Sequence, residues 1–279
     1  MGQSDLTWGR ASGSRCSVPV GWVLAPAWLP TTVALMRFGF GWHIEGTAEA
    51  RRVYEALRRS GDPLLVCANH LTLDRFGAGG VGARLARMVP RALRALPWNV
   101  PERRNFASSS ATRVAAYVAK CLPITRGGDR AEIGRVLRRL LHLLERGEVI
   151  LMFPEGGRSR SGVVEVERAA YGVGRVIAAS PACRVLCVYV RGEGQDGFSD
   201  LPAFGERFHV RVETFRPSSV LTGMRRSRDL AQQVTRRLAA LERAHFENRC
   251  GVDPDRAPSM RRRADDRQRH RRPRRRRDR

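Results

Sequence analysis

Two rhythms of apolar and polar positions alternate along this chain. From Thr47 to Arg59 apolar residues recur at helical spacing, and Gly61, Asp62 and Pro63 close the segment. PLLVCA (63–68) follows, wholly apolar and too short for a helix, the pattern of a strand buried on both faces. The same pattern returns at VILMF (149–153) and VLCVYV (185–190), and FHVRVETF (208–215) reads as a fourth strand. Between them, Ala131 to Arg146 sets leucines and Ile133 on one face and arginines on the other, with Gly147 as its stop. A last amphipathic helix is expected over 227–246. Residues 81–96 carry arginines at roughly helical spacing, with Pro90 kinking or splitting the element, and Ser108–Ser110 predict the cap of a helix through AAYVAKCL. Strands alternating with helices predict an α/β fold: a mixed, mostly parallel sheet flanked by helices.

Both ends of the chain break this pattern. Residues 1–17 are polar and rich in Gly and Ser, and are expected to be disordered. From Cys16 to Met36 no residue is charged, and Arg15 and Arg37 flank the stretch. That is enough for a membrane span of roughly 20 residues, but Pro19, Pro26 and Pro30 each remove a backbone donor and break a straight helix. The expectation is therefore an apolar membrane-associating segment over 18–46, bearing Trp22 and Trp28. A cleaved signal peptide is the alternative reading of the Arg-then-apolar pattern. The region 47–250 reads as the main domain. Residues 251–279 read as a disordered Arg-rich tail, whose last nineteen residues hold twelve arginines and three aspartates.

Charge sharpens the picture. The formal net charge is +24, from 51 basic and 27 acidic residues, and Lys120 is the only lysine. A surface of permanently charged, fork-shaped guanidiniums implies anionic partners: phosphate esters, acidic headgroups or nucleic acid. The six cysteines form no CxxC pair and no disulfide framework, which favours a reducing compartment. Cys183 and Cys187 are expected on one face of a strand as buried thiols.

Several chemistries are excluded. There is no GxxxxGK[ST] and no GxSxG, so neither a P-loop nor a serine nucleophile elbow is present. A GxGxxG occurs at Gly192, Gly194 and Gly197, but Glu193 and Asp196 lie inside it and no helical pattern follows, so it reads as a loop. The six histidines form no metal-ligand cluster.

Three segments at strand ends remain. In CANHLTLDRFG (67–77), His70 and Asp74 stand four residues apart after a buried strand, either as a structural hydrogen bond or as a base and its orienting carboxylate. FPEGGRSRSG (153–162) offers turn glycines, including Gly156, the carboxylate of Glu155, and guanidiniums at Arg158 and Arg160. Such a loop can cradle a phosphate or be merely a solvated turn. In LPITRGGDR (122–130), Arg126 lies between a strand-like ITR and a glycine pair.

These motifs in this order resemble the glycerolipid acyltransferase family, the lysophosphatidic-acid and glycerol-phosphate acyltransferases, over roughly residues 40–217. FPEGGRS is the most specific match. The family's first motif is Asn-His, four variable residues and Asp, whereas three residues separate His70 from Asp74 here. VYVRG (188–192) loosely matches a fourth block, without its usual proline, that lines the acyl site.

The resemblance implies acyl transfer from acyl-CoA or acyl-acyl carrier protein to a lysophospholipid hydroxyl, with no cofactor. His70 would be the base and Asp74 its partner. Arg126 and Arg158 would grip the acceptor phosphate, with Glu155 and Gly156 in the same turn. It also implies a peripheral or monotopic protein on the cytoplasmic face of the cell membrane, in contact with anionic lipid. Three alternatives stay open: another lipid acceptor such as ornithine lipid or lipid A, a catalytically weakened homologue, and nucleic-acid binding through the tail.

Overall fold

The computed structural model describes residues 31, 33–69, 96–103, 120–125, 127–157, 162–195 and 202–249. The expected segments 1–17, most of 81–96 and the Arg-rich tail lie outside the described residues. After a π-helical turn, Leu35–Gly39, the elements run β1 (His43–Glu45), α1 (Thr47–Arg59), β2 (Leu64–Ala68), β3 (Trp98–Asn99), α2 (Arg130–Glu145) and β4 (Ile150–Met152). A 3-10 turn at Val166–Arg168 precedes α3 (Tyr171–Ala179), and β5 (Arg184–Gly192), β6 (Arg207–Phe215) and α4 (Gly223–Arg249) complete the chain.

The six strands form one sheet in the order β1-β6-β5-β2-β4-β3. Four neighbouring pairs are parallel, and only β5–β6 is antiparallel. This is the mixed, mostly parallel α/β sheet that the alternation of apolar runs predicts. Central β2 and β4 are buried at every residue, as strands covered on both faces must be. On one face Leu64, Val66, Leu151, Val188 and Phe208 pack with Tyr54 and Leu57 of α1 and with Trp42. On the other, Leu65, Ile150, Val185 and Cys187 meet Leu140 and Leu144 of α2, Val173 and Ile177 of α3, and Leu230, Val234 and Leu238 of α4. Among the described residues, no helix is long and apolar enough to cross a membrane.

Local chemistry explains the boundaries. α1 buries Ala50, Tyr54 and Leu57 on a single stripe and ends where the Ser60 hydroxyl donates to the Leu57 carbonyl at 2.8 Å. Asp129 caps α2 by accepting from the Glu132 amide at 3.2 Å. Gly147, at φ 74°, turns the chain into β4. α3 carries two glycines and gives no clear periodic signal. Gly174 is needed because α4 crosses there: a Cβ would lie 1.7 Å from the Ser227 carbonyl oxygen.

One expectation is corrected. The helix through AAYVAKCL does not include its last residues, because Lys120 has φ 53°, outside the helical region. Cys121 and Ile124 then form parallel bridges to Asn99 and Glu102, extending the sheet edge beyond β3. The ammonium of Lys120 donates to Glu148 at 2.8 Å and to the Leu96 carbonyl at 3.0 Å, and these bonds hold the start of that edge segment. Cys183 and Cys187 are buried free thiols, as expected, although Cys183 stands one residue before its strand, and Cys67 and Cys121 are buried free thiols as well.

Candidate active site

In a parallel sheet, ligand chemistry collects beyond the carboxyl ends of the strands. Here β2 and β4 end side by side, with Cys67 opposite both Met152 and Cys187, while β5 runs on past them from Val188, the partner of Ala68, to Gly192. The segments after β2 and β4 are the two most informative motifs of the sequence.

The first begins at Asn69, which is buried. Its amide Nδ2 donates to the Val190 carbonyl at 3.0 Å, and its Oδ1 accepts from the Val190 amide at 2.8 Å. A side-chain amide thus mimics a peptide group and adds one rung to the β2–β5 ladder where β2 itself has ended. The backbone of Asn69 is held as well, its N–H donating to the Val188 carbonyl at 3.3 Å. The chain therefore leaves the sheet at a fixed point immediately before His70. His70 and Asp74 themselves lie outside the described residues.

The second motif turns directly off β4. The Gly156 amide donates to the Phe153 carbonyl at 3.0 Å, closing a turn with Pro154 in the position that its fixed φ suits. Gly156 has φ 63°, and a Cβ there would approach that of Ala170 to 3.0 Å, so both backbone and space call for glycine. The Ala170 amide donates to the Pro154 carbonyl at 2.6 Å and ties the turn to the start of α3. Glu155 and Gly156 thus stand just beyond the end of β4, the strand that pairs with β2. Arg158 lies outside the described residues.

The third segment reaches the same end by its bridges. The Ile124 amide donates to the Pro101 carbonyl at 2.9 Å, and the Arg103 amide to the Ile124 carbonyl at 2.9 Å. Gly127 follows at φ 67°. Arg126 itself lies outside the described residues.

Two further residues are packed behind this site: Arg191, inside the VYVRG block, and Glu242, which falls in no motif. Arg191, at the end of β5, is 3 % exposed, and Glu242 of α4 is 7 % exposed. Arg191 Nη1 stands 4.0 Å from Glu242 Oε1 and donates to the Gly162 carbonyl. Arg191 Nε donates to the Gln195 carbonyl at 2.8 Å, and the guanidinium lies 5.5 Å from the Phe246 ring centroid. Glu242 accepts from the Val164 amide at 3.0 Å and from the Tyr189 hydroxyl at 3.1 Å. Burial, with the Glu242 charge next, pushes the Tyr189 phenol well above its ordinary pKa. A faint signal existed: Glu242 continues the Leu230, Val234, Leu238 stripe of α4, a carboxylate at an apolar position.

The glycine-rich stretch after β5 is no phosphate cradle. The amides of its described glycines are consumed internally, Gly192 donating to Gln195 Oε1 at 3.1 Å and Gly194 to Glu206 Oε1 at 2.7 Å, and Gly197 lies outside the described residues. The buried cysteines are equally unsuited to nucleophilic work, since burial raises the Cys121 and Cys183 thiols to about 12. Among the described residues, no group of His, Cys, Asp and Glu could hold a metal ion.

An acyltransferase family model, that of the glycerolipid acyltransferases, matches residues 51–191, from α1 to the end of β5. The chain belongs to this family. No curated protein matches it. The matched region of the acyltransferase begins at α1 and takes in Asn69, the FPEGG turn and Arg191, whereas Glu242 lies beyond it. The protein is thus a transferase of acyl groups whose second motif is braced by a helix outside the matched region.

Proposed function

We propose that this acyltransferase moves a fatty acyl group from a thioester, of coenzyme A or acyl carrier protein, to the free hydroxyl of a lysophospholipid, 1-acyl-glycerol-3-phosphate. The observation that carries the reading is the Asn69 clamp. It fixes the residue before His70 at a sheet end whose neighbouring strand opens into the FPEGG turn.

An alcohol at neutral pH is a weak nucleophile, so a positioned base must take its proton during attack. His70 is that base. Asp74 holds its tautomer and offsets the charge of the imidazolium. The hydroxyl oxygen attacks the thioester carbonyl, the oxyanion collapses, and the thiolate leaves carrying the electron pair of the C–S bond. His70 then returns its proton to the sulfur. The thiolate is a good leaving group, so no covalent enzyme intermediate, metal or prosthetic group is required. Arg126 and Arg158 grip the acceptor phosphate, and Glu155 and Gly156 shape the turn that carries Arg158.

The protein works at the cytoplasmic face of the membrane. In support, Leu35 and Phe38 are 54 % and 82 % exposed beside Arg37, at the end of the apolar N-terminal segment. A cleft of about 670 Å³ next to them is bounded by Arg37, Phe38, His43 and Arg207, with Glu45 paired to Arg207 at 3.2 Å.

The test is acyl transfer from labelled oleoyl-CoA to lysophosphatidic acid, to glycerol-3-phosphate and to monooleoylglycerol, comparing wild type with His70→Ala. The base is worth about 10²–10⁴-fold in rate, so the variant should lose at least that much. Activity unchanged by the substitution overturns the mechanism. Transfer only to acceptors without phosphate overturns the acceptor assignment and keeps the chemistry.

A further inference from the structure

The 153–164 segment is anchored at both ends, and the two anchors differ in kind. The near end is a backbone turn, closed by Gly156 to Phe153 and by Ala170 to Pro154. The far end is held by buried charges: Arg191 donates to the Gly162 carbonyl and Glu242 accepts from the Val164 amide. Those two residues also face each other, so guanidinium, carboxylate and loop backbone form one buried network in which removing a member strips a partner from each of the others. Arg191 directly follows Val190, whose backbone holds Asn69. The last residues of β5 therefore hold both loops: Val190 the one that leads into His70, Arg191 the one that carries Arg158.

We propose that Arg191 and Glu242 are positioning residues for the acyl acceptor. They fix the far end of the 153–164 loop so that it meets the acceptor's phosphate in a set place. The proposal rests on the reading of that loop as the phosphate-binding segment, and it adds a requirement for α4. Neither side chain touches substrate. Their loss is expected to weaken acceptor binding without changing the chemical step or the donor site.

The experiment compares wild type with Glu242→Gln, Arg191→Lys and Tyr189→Phe. Steady-state kinetics use oleoyl-CoA with either 1-oleoyl-lysophosphatidic acid or monooleoylglycerol, and amide hydrogen exchange is followed in peptides spanning 154–166. Glutamine keeps the shape of Glu242 and lysine keeps the charge of Arg191, so both variants are expected to fold. Glu242→Gln should raise KM for lysophosphatidic acid about tenfold, with kcat and the oleoyl-CoA KM within about twofold of wild type. It should also speed exchange in the loop. Arg191→Lys should show the same pattern more weakly. Tyr189→Phe removes a bond to Glu242 within the same network, and should show the Glu242→Gln pattern more weakly still.

Unchanged exchange in folded Glu242→Gln overturns the brace, whatever the acceptor. Faster exchange with an unchanged acceptor KM overturns the positioning role, as does an equal rise in both KM values. A wild-type enzyme that acylates monooleoylglycerol as readily as lysophosphatidic acid overturns the phosphate reading instead. In that case a Glu242→Gln effect on the KM of both acceptors still supports the brace, with the glycerol moiety as what it positions.

Discussion

Asn69 and Val190 are paired as two peptide groups would be, although one of them is a side chain. Both polar atoms of the amide are satisfied at 3.0 and 2.8 Å in a buried position, which makes the pair a fixed support for the residue that follows. Asn69→Ala strands the Val190 amide and carbonyl, and an unsatisfied buried group costs about 1–3 kcal/mol. Asn69→Asp is expected to be worse, because a carboxylate oxygen would face the Val190 carbonyl with no donor between them. Urea unfolding measures the loss of stability. The acyl-transfer rate should fall further than stability alone explains, since wild-type enzyme at equal folded fraction provides the comparison.

Gly174 and Ser227 set how closely α3 and α4 pack. A methyl group at Gly174 would sit 1.7 Å from the Ser227 carbonyl oxygen and 2.7 Å from its carbon, both backbone atoms of another helix. Nothing flexible can move aside, so the helices must part. Gly174→Ala should therefore destabilise by about 1–3 kcal/mol, the cost of overpacking, despite the higher helix propensity of alanine. Gly134 in α2 is the contrast, since its nearest neighbour would be the flexible end of Arg138 at 3.5 Å. Gly134→Ala should be neutral or stabilising by up to about 1 kcal/mol. A matched pair of denaturation curves checks both.

Lys120 is the single lysine in a chain that otherwise uses arginine, and its place explains it. A compact ammonium reaches Glu148 and the Leu96 carbonyl at once, 5.6 Å from the Trp98 ring centroid. Trp98 also donates to the same carboxylate oxygen of Glu148, at 3.2 Å. A planar guanidinium is larger and presents its donors in a fixed fork. Lys120→Arg should thus cost about 1–3 kcal/mol as an overpacked substitution. Lys120→Met should cost more, since it also removes the ammonium that pairs with the part-buried carboxylate of Glu148. The order of the two midpoints in urea is the readout.

What the sequence made legible follows from how long and how regular each element is. The buried strands around Val66, Leu151 and Leu186 and the stripes of α1 and α2 announce themselves, because burial on both faces or on one stripe leaves an unbroken pattern. β1 and β3, with three and two residues, are too short to carry any pattern. They exist because neighbouring strands offer them a ladder. α3 is hidden by its two glycines, which serve tertiary contact rather than propensity. The FPEGG turn was legible because its proline and glycine have local conformational reasons. Glu242 was not, nor were the roles of Asn69 and Arg191 inside their motifs, because those roles are defined by partners far along the chain. Asn69 finds its partner 121 residues on.

The buried thiols make stability fall on the alkaline side. Burial raises Cys121 and Cys183 from an ordinary 9.0 to about 12, so both stay protonated in the folded protein where the unfolded chain has begun to ionise. Between pH 9 and pH 12 the native state therefore binds more protons than the unfolded state, and the unfolding free energy declines as pH rises. The contribution is complete below pH 9 and is lost as pH climbs towards 12. Each thiol supplies a slope of up to about 1.4 kcal/mol per pH unit within that window. Urea unfolding at pH 8, 9, 10 and 10.5 should show the decline, and Cys183→Ala should make it shallower while lowering the stability at pH 8. A slope unchanged by Cys183→Ala would mean that this thiol is not the group being titrated.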